Sequence, residues 1–277
     1  MVTTYALVFG ISALFVQQQD LANLRDRGVG VRTSEFQTYI ARHQLMLLPA
    51  VSYARDHNFE YNPLDWGYGS QVDLRGAQRS RGAQLFMAYG VTDWLAVELE
   101  GSYLSASFQR SPSDTTATPA RIRESGFGDL AGQVRLRLVP ERGRRPEIFG
   151  SVEVIPRALR RKVLIGDPRW DVKGEIGLIR GFHFGTMTLH TTIEYNHGDM
   201  HWDLGETVLE YLRQVSPRMR ILLAVEGGEG GAMDEWVFVT SGQWRLSDRA
   251  YLKFANAVGL APKSTDWEPQ IGILLVR

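Results

Sequence analysis

The sequence predicts an all-β fold, specifically a transmembrane antiparallel up-and-down β-barrel of about 12 strands. Three observations lead to this prediction. Apolar and polar residues alternate with period two almost everywhere after residue 43. Short and long connectors take turns along the chain, and four tryptophans recur at intervals of 32, 34 and 31 residues.

The alternation is clearest in residues 95–103. Leu95, Val97 and Leu99 share one parity, whereas Glu98 and Glu100 share the other. Period two predicts a strand, because successive side chains of a strand point to opposite faces of the sheet. The predicted strands lie near 43–56, 81–90, 94–107, 127–138, 147–156, 171–180, 186–196, 204–213, 218–227, 235–245, 250–260 and 267–277.

The connectors between these strands fall into two classes. The compact ones are 90–93, 139–146, 181–185, 215–218 and 246–249. The long or glycine-rich ones lie near 58–80, 109–125, 157–169, 196–202, 227–234 and 261–266. Consecutive hairpins with this alternation place all compact turns at one end and all long loops at the other, which is typical of membrane β-barrels.

Alternation alone does not say whether the apolar face meets a protein core or lipid. Strands of about 10–13 residues fit a tilted bilayer crossing better than the ~5–6 residues of common soluble strands. Aromatic residues are also expected at two membrane interfaces, where apolar rings with polar edges accumulate. The candidate interfacial residues are Trp94, Tyr103, Trp170, Trp202, Trp236 and Trp267. A soluble β-sandwich or a lipid-carrying barrel remains the alternative.

The composition excludes several classes of protein. Basic and acidic residues balance at 31 each, so no net charge attracts nucleic acid. The chain has no cysteine, which excludes disulfides and thiolate chemistry. The apolar run 5–16 is too short for a spanning helix and suits a signal segment within 1–18. We expect 19–42 to form a periplasmic segment and 43–277 the barrel.

The parity opposite to the apolar one is expected to line the lumen. Its charged residues are Glu98, Glu100, Arg135, Arg137, Glu153, Lys173, Glu175, Glu194, Arg218, Arg220 and Glu226. They fit a charged pore lining that selects permeants. They equally fit a network of ion pairs that braces a narrow barrel, because buried charges require partners. Both signs mix along the wall, which favours bracing with a narrow channel.

Other chemistry has weaker support in the sequence. His197, Asp199 and His201 share one side of an extended segment and are weak candidates for a metal site, without an evident fourth ligand. No strand shows a serine and a histidine both on its lipid-facing edge, so we expect no catalytic site, no cofactor and no enzyme activity.

Several segments resemble a known family over roughly residues 35–277. They are YGVTDWLAVELE (89–100), the Gly-Phe-Gly-Asp-Leu stretch 126–130, EYNHGDMHWDLGE (194–206), VEGGEGG (225–231) and the final strand WEPQIGILLVR. With these segments the chain resembles the bacterial outer-membrane β-barrels of the MetA pathway of phenol degradation, described as outer-membrane transporters. The resemblance implies a location in the outer membrane of a Gram-negative bacterium.

The resemblance also implies a function and partners. We expect a porin-like channel or transporter for passive passage of small, including hydrophobic, solutes. The alternative is a non-conducting structural or interaction barrel that presents its extracellular loops to partners. The expected partners are outer-membrane lipid, lipopolysaccharide, small solutes and the barrel assembly machinery, and not nucleic acid. A basic stretch in one long loop, Arg157 to Lys162, is a candidate contact for lipopolysaccharide headgroups.

Overall fold

The computed structural model describes residues 26–35, 38–64, 66–69, 71–156, 162–165, 170–196, 201–227, 236–262 and 264–277. Twelve antiparallel strands close into one barrel, which confirms the predicted fold class and strand number. The first four barrel strands are β3 (Leu45–Tyr61), β4 (Leu74–Gly90), β5 (Leu95–Gln109) and β6 (Arg121–Val139). The others are β7 (Glu147–Ile155), β8 (Asp171–Phe182), β9 (Gly185–Asn196), β10 (His201–Ser216), β11 (Met219–Gly227), β12 (Val237–Arg245), β13 (Ala250–Gly259) and β14 (Trp267–Val276).

Each barrel strand pairs with its neighbour in sequence, and the ring closes between β14 and β3. At the closure Ile271 pairs with Val51, and Leu275 pairs with Leu47. A closed ring leaves no unpaired strand edge, which is a requirement for a sheet that crosses lipid. Among the described residues no helix is long and apolar enough to cross a bilayer.

The consecutive strands β3 to β6 extend farther at the long-loop end than the alternation predicts. β3 continues to Tyr61 where the pattern ended at residue 56, and β6 begins at Arg121 where it began at 127. The outward side chains of these extensions include arginine and serine, for example Arg79 and Ser125. The strands continue there, but their outward face is no longer apolar. A pattern of alternating hydrophobicity therefore does not predict these extensions.

The outward face of the barrel is apolar through its middle. Val97 and Leu99 are 40% exposed, and Ile176 is 55% exposed, although all three are large hydrophobic residues. In contrast, Glu98 is 7% exposed because it points into the barrel. In this middle band large apolar side chains face outward and charged ones such as Glu98 face inward, which is typical of membrane barrels.

Residues 26–35 and 38–40 lie inside the barrel, and we call them the plug. They contain a two-stranded sheet, β1 (Val31–Arg32) and β2 (Tyr39–Ile40). Val31 and Ile40 are fully buried in one apolar cluster with inward residues of the wall, including Phe86 and Leu274. The expected separate segment 19–42 is thus represented here by a plug that is enclosed by the wall; its domain boundaries stay a prediction.

Gly30 is required by the geometry of the plug. Its φ is 110°, and a Cβ there would lie 1.9 Å from the carbonyl oxygen of Ile40. We expect Gly30→Ala to loosen the plug by more than the ~1 kcal/mol of an ordinary Gly→Ala strain at positive φ, because backbone atoms must also move. Hydrogen exchange at the amides of Val31 and Ile40 measures this effect.

The matched control is Gly132→Ala in β6, where no heavy atom lies within 4 Å of the added Cβ. Exchange at the plug amides should stay at the wild-type rate in this control. Equal exchange rates in the two variants would contradict the tight approach of Gly30 to β2.

Candidate functional site

The lumen is the candidate site, and its centre is an arginine supplied by the plug. Arg32 lies in β1, where its guanidinium is 2.5 Å from Glu210 and 3.7 Å from Glu175 of the wall. Burial alone would lower the pKa of Arg32, but the adjacent carboxylates of Glu210 and Glu175 raise it above its ordinary value. The group therefore stays charged and fastens the plug to β8 and β10.

A second arginine fastens the plug near the compact-turn end. Arg27 forms an ion pair with Glu141 and lies 3.9 Å from Glu147. Here too burial would lower the pKa of the guanidinium, and the negative groups around it raise the pKa instead. Removing one partner of such a buried pair is strongly destabilising, since the other charge is left without compensation.

Three further contacts hold the plug on other sides of the barrel. The Ser34 hydroxyl donates to Glu98 over 2.6 Å, and its backbone N–H also approaches that carboxylate at 3.1 Å. Lys253 of β13 donates to Glu35 over 3.0 Å. The backbone N–H of Gln214 donates to Asp26 over 2.8 Å. Because these contacts reach β5, β10 and β13, the plug is attached around the barrel rather than to one wall.

The wall residues beneath the plug form their own network. Arg135 lies 3.0 Å from Glu175 and donates from Nε to the carbonyl oxygen of Arg32 over 2.9 Å. His190 lies 2.9 Å from Glu175, and the Phe149 ring sits between the Arg32 and Arg135 guanidiniums at 5.1 and 5.7 Å. The network joins plug and wall in one connected set of charges.

A cavity of about 220 Å³ lies beside the plug. Its lining includes Arg32 and Ser34 of the plug together with wall residues. The charged wall residues are Arg135, Glu153, Lys173, Glu175, Glu194, Glu206 and Glu226. Acidic groups predominate, although Lys173 pairs with Glu194 at 2.5 Å.

An apolar cluster adjoins the charged cavity. Val208, Leu212, Leu222, Ala224 and Val239 form one buried cluster on the inward faces of β10, β11 and β12. Val208 also lines the cavity, together with Glu206 and Glu226 of the same strands. Charged and apolar side chains are therefore neighbours on this part of the inner wall.

Most predicted lumen-lining residues point into the barrel. Glu98 and Arg135 lie 3.9 Å apart, the Glu100 carboxylate accepts from Gln84 over 2.7 Å, and Arg137 lies 3.2 Å from Glu147. The Gln133 amide approaches Glu153 at 3.4 Å. Lys173, Glu175, Glu194 and Glu226 line the cavity just described.

Two other predicted lining residues lie together at the compact-turn end. Arg218 and Arg220 both line a cavity of about 100 Å³, to which Gln243 and Tyr251 also contribute. Arg220 is half-buried, whereas Arg218 is exposed in the turn before β11, which begins at Met219. Their role as lumen-lining residues stays a prediction.

The predicted interfacial tryptophans lie at or near strand ends, whereas Tyr103 lies in the middle of β5. Their large side chains are exposed at Trp94, Tyr103, Trp170, Trp202 and Trp267, and Trp236 is half-buried. Some form pairs with other rings, such as Tyr103 with Phe127 at 5.5 Å. Their role at the membrane interface stays a prediction.

The sequence analysis missed an aromatic cluster at the long-loop end. Trp66 stacks on Tyr61 at 5.0 Å and meets Phe108 edge-on at 4.7 Å. The Tyr61 hydroxyl donates to Asp114 over 2.8 Å, which links the cluster to the loop 110–120. Trp66 lies in a loop without alternation, so no periodic signal indicated that it packs inward.

The metal candidates receive no support from the structure. His197 and Asp199 lie outside the described residues, and of His201 only the backbone is described, at the start of β10. Within the described part of the chain no group of three or more potential ligands could hold a metal ion. The basic stretch at 157–161 is also outside the described residues.

Comparisons with known proteins support the fold. No protein-family model matches the chain, and no curated protein matches it. The COG4313 outer membrane channel from Pseudomonas putida F1 is similar in structure, with a TM-score of 0.62 and 14% identity over 89% of this chain and 100% of that chain. The translocator domain of autotransporter NalP from Neisseria meningitidis has a TM-score of 0.49 and 9% identity over 84% of this chain and 88% of its own. The likeness to the channel from Pseudomonas putida F1, together with the closed ring of twelve strands, shows that the chain has the fold of an outer-membrane β-barrel.

Proposed function

We propose that this protein is an outer-membrane channel for small solutes whose lumen is gated by its own plug. The observation that carries the proposal is the plug itself. Its two strands form a sheet separate from the barrel, and buried ion pairs attach it to the wall. Ion pairs and hydrogen bonds can be exchanged for contacts with water when the segment moves.

The membrane location is supported by the outward face. Large apolar side chains such as Val97, Leu99 and Ile176 are exposed on a closed barrel. In water such a continuous apolar surface promotes aggregation, whereas lipid solvates it. The structural similarity to the outer membrane channel from Pseudomonas putida F1 supports a membrane-barrel fold.

The class of permeant follows from the lining. The cavity beside the plug is lined mainly by charged side chains, most of them carboxylates, and by Val208 from the adjoining apolar cluster. This combination suits small amphipathic molecules, which have an apolar body and a polar group. The lining gives no support to a catalytic role, and the resemblance to the MetA-pathway family stays a prediction.

The gating is tested by reversing the charges of one anchor. Glu35 and Lys253 lie 3.0 Å apart, so Glu35→Lys or Lys253→Glu alone places like charges together inside the barrel. We expect either single variant to raise the mean current in planar bilayers several-fold over the wild type. The double variant restores an attractive pair and should return the current to the wild-type level.

The second candidate function is a non-conducting structural barrel, which the filled lumen also favours. It predicts that the wild type, both single variants and the double variant are all electrically silent, although folded. That result would overturn the channel proposal. Recognition by the barrel assembly machinery, and contact with lipopolysaccharide through the basic loop, remain proposals on either reading.

A further inference from the structure

The outward face of β3 to β6 changes from apolar and aromatic residues to arginine and serine toward the long loops. Val51, Ala83, Tyr103 and Phe127 pair across the four strands in one row. The next row outward is Tyr53, Arg81, Ser105 and Ser125, and the row beyond it is Arg55, Arg79, Ser107 and Arg123. Each row is one step of two residues, or about 7 Å, along the strands.

These rows place arginines directly beyond an aromatic belt. Tyr103 and Phe127 pack edge-to-face at 5.5 Å, and Phe127 is 84% exposed on the outside of the barrel. Trp267 continues the belt on β14, where its ring meets Tyr53 at 5.9 Å. Exposed aromatic rings mark the boundary between acyl chains and headgroups, so the arginine rows lie at the level of the headgroups.

Three arginines of this surface have no ion-pair partner among the described residues. Arg79, Arg81 and Arg123 are exposed, and none forms an ion pair with any described residue. The carboxylate of Glu124 lies at the same groove and accepts backbone N–H bonds from Val163 and Leu164 at 3.2 and 2.8 Å. Within the described part of the chain, the three arginines therefore outnumber the one carboxylate of this patch.

The pairing itself makes a counter-charge favourable. Arg55 and Arg79 are direct cross-strand partners, and like charges in that position destabilise a sheet. An anion placed between them and the neighbouring arginines would remove the repulsion. The structure shows a groove of about 570 Å³ at this place, lined by Arg79, Arg81 and Arg123, by serines such as Ser105 and Ser107, and by one carboxylate, Glu124.

We propose that this groove, the arginine patch of Arg79, Arg81 and Arg123, binds the phosphate groups of an anionic outer-leaflet lipid. Guanidinium groups hold phosphate through paired N–H bonds, and adjacent serine hydroxyls add donors. The groove is continuous with the apolar rows below it, so acyl chains can run down past Val51 and Leu85. A free phosphate ion would make no use of that surface, which favours a lipid.

The inference rests on the membrane location in the proposed function but not on conduction. The test compares binding of a phosphorylated glycolipid, lipid A, with its dephosphorylated form and with inorganic phosphate, using full-length protein in detergent. The variant is Arg79→Gln/Arg81→Gln/Arg123→Gln. The matched control removes three exposed arginines at the compact-turn end, Arg142→Gln/Arg144→Gln/Arg249→Gln.

We expect the patch variant to bind lipid A about 100-fold more weakly than wild type, since each arginine near a lipid surface contributes roughly 1 kcal/mol. The control should bind as the wild type does, and the dephosphorylated lipid should bind weakly to all three proteins. If lipid A binding weakens equally in the patch variant and the control, the attraction depends only on the net positive charge of the protein. That result would overturn the proposed site.

Displacement of lipid A by inorganic phosphate at comparable concentration would also overturn it, since it would identify an ion site rather than a lipid site. The two proposals fail in different ways. A chain that is folded and monodisperse in detergent-free buffer would contradict the membrane location. A detergent-requiring protein with unchanged lipid binding in the patch variant would contradict this inference alone.

Discussion

Replacing Leu99 with arginine is expected to destabilise the folded barrel by about 2–4 kcal/mol, the cost of an arginine on the lipid face at the bilayer midplane. Leu99 is 40% exposed on the outward face of β5, midway between Trp94 and Tyr103. Its cross-strand partners are Met87 and Gly132, which offer no carboxylate. Equilibrium unfolding by denaturant in lipid vesicles measures the change in free energy.

The matched control is Gln109→Arg, which introduces the same residue on the same face of the same strand. Gln109 is exposed at the long-loop end of β5 and pairs with Arg121 and Ala77, beyond the arginine patch. An arginine near the interface costs only about 0–1 kcal/mol. If both variants lose stability equally, the outward face does not meet lipid and the assignment of faces is wrong.

Replacing Arg32 with alanine is expected to release the plug. The change removes the positive charge between Glu210 and Glu175 and leaves two buried carboxylates near each other, with only Arg135 and His190 close by. Breaking such a buried pair costs about 3–5 kcal/mol. Hydrogen exchange at the amides of Val31 and Ile40 should accelerate by more than 100-fold. A loss of about 3 kcal/mol raises the equilibrium constant for local opening by that factor.

The control for this variant is Arg110→Ala, an arginine that also fastens a loop. Arg110 donates to the carbonyl oxygens of Thr118 and Thr116 at 2.7 and 3.3 Å, at the opposite end of the barrel from the plug. Exchange in the loop 110–120 should accelerate, while the plug amides keep their wild-type rates. Unchanged plug exchange in Arg32→Ala would show that the apolar contacts of Val31 and Ile40 hold the plug alone.

The barrel could be predicted from the sequence because each strand is indicated by a pattern within a few neighbouring residues. A period of two assigns each side chain to a face once any one residue is placed, so Leu99 outward implies Glu98 inward. The alternation of connector lengths then orders the hairpins. Strand ends were less predictable, as at Arg121, because an outward face of serine and arginine looks like a loop when only hydrophobicity is read.

The plug could not be predicted, because its structure depends on partners far away in sequence. Arg32 lies 178 positions from Glu210, and Arg27 lies 114 positions from Glu141. The two strands of the plug are two residues long, too short to show any period. Single-sequence reasoning identified the wall carboxylates as residues that needed partners, but not the segment that supplies them.

The seam of the barrel has a consequence for the order of events in biogenesis. β14 follows the other eleven barrel strands in sequence and pairs with β3, so the cylinder can close only after all twelve strands have been synthesised. The residues that end up enclosed precede β3 and exist before any wall does. The wall can therefore be wrapped around its occupant, and threading through a finished cylinder is not required.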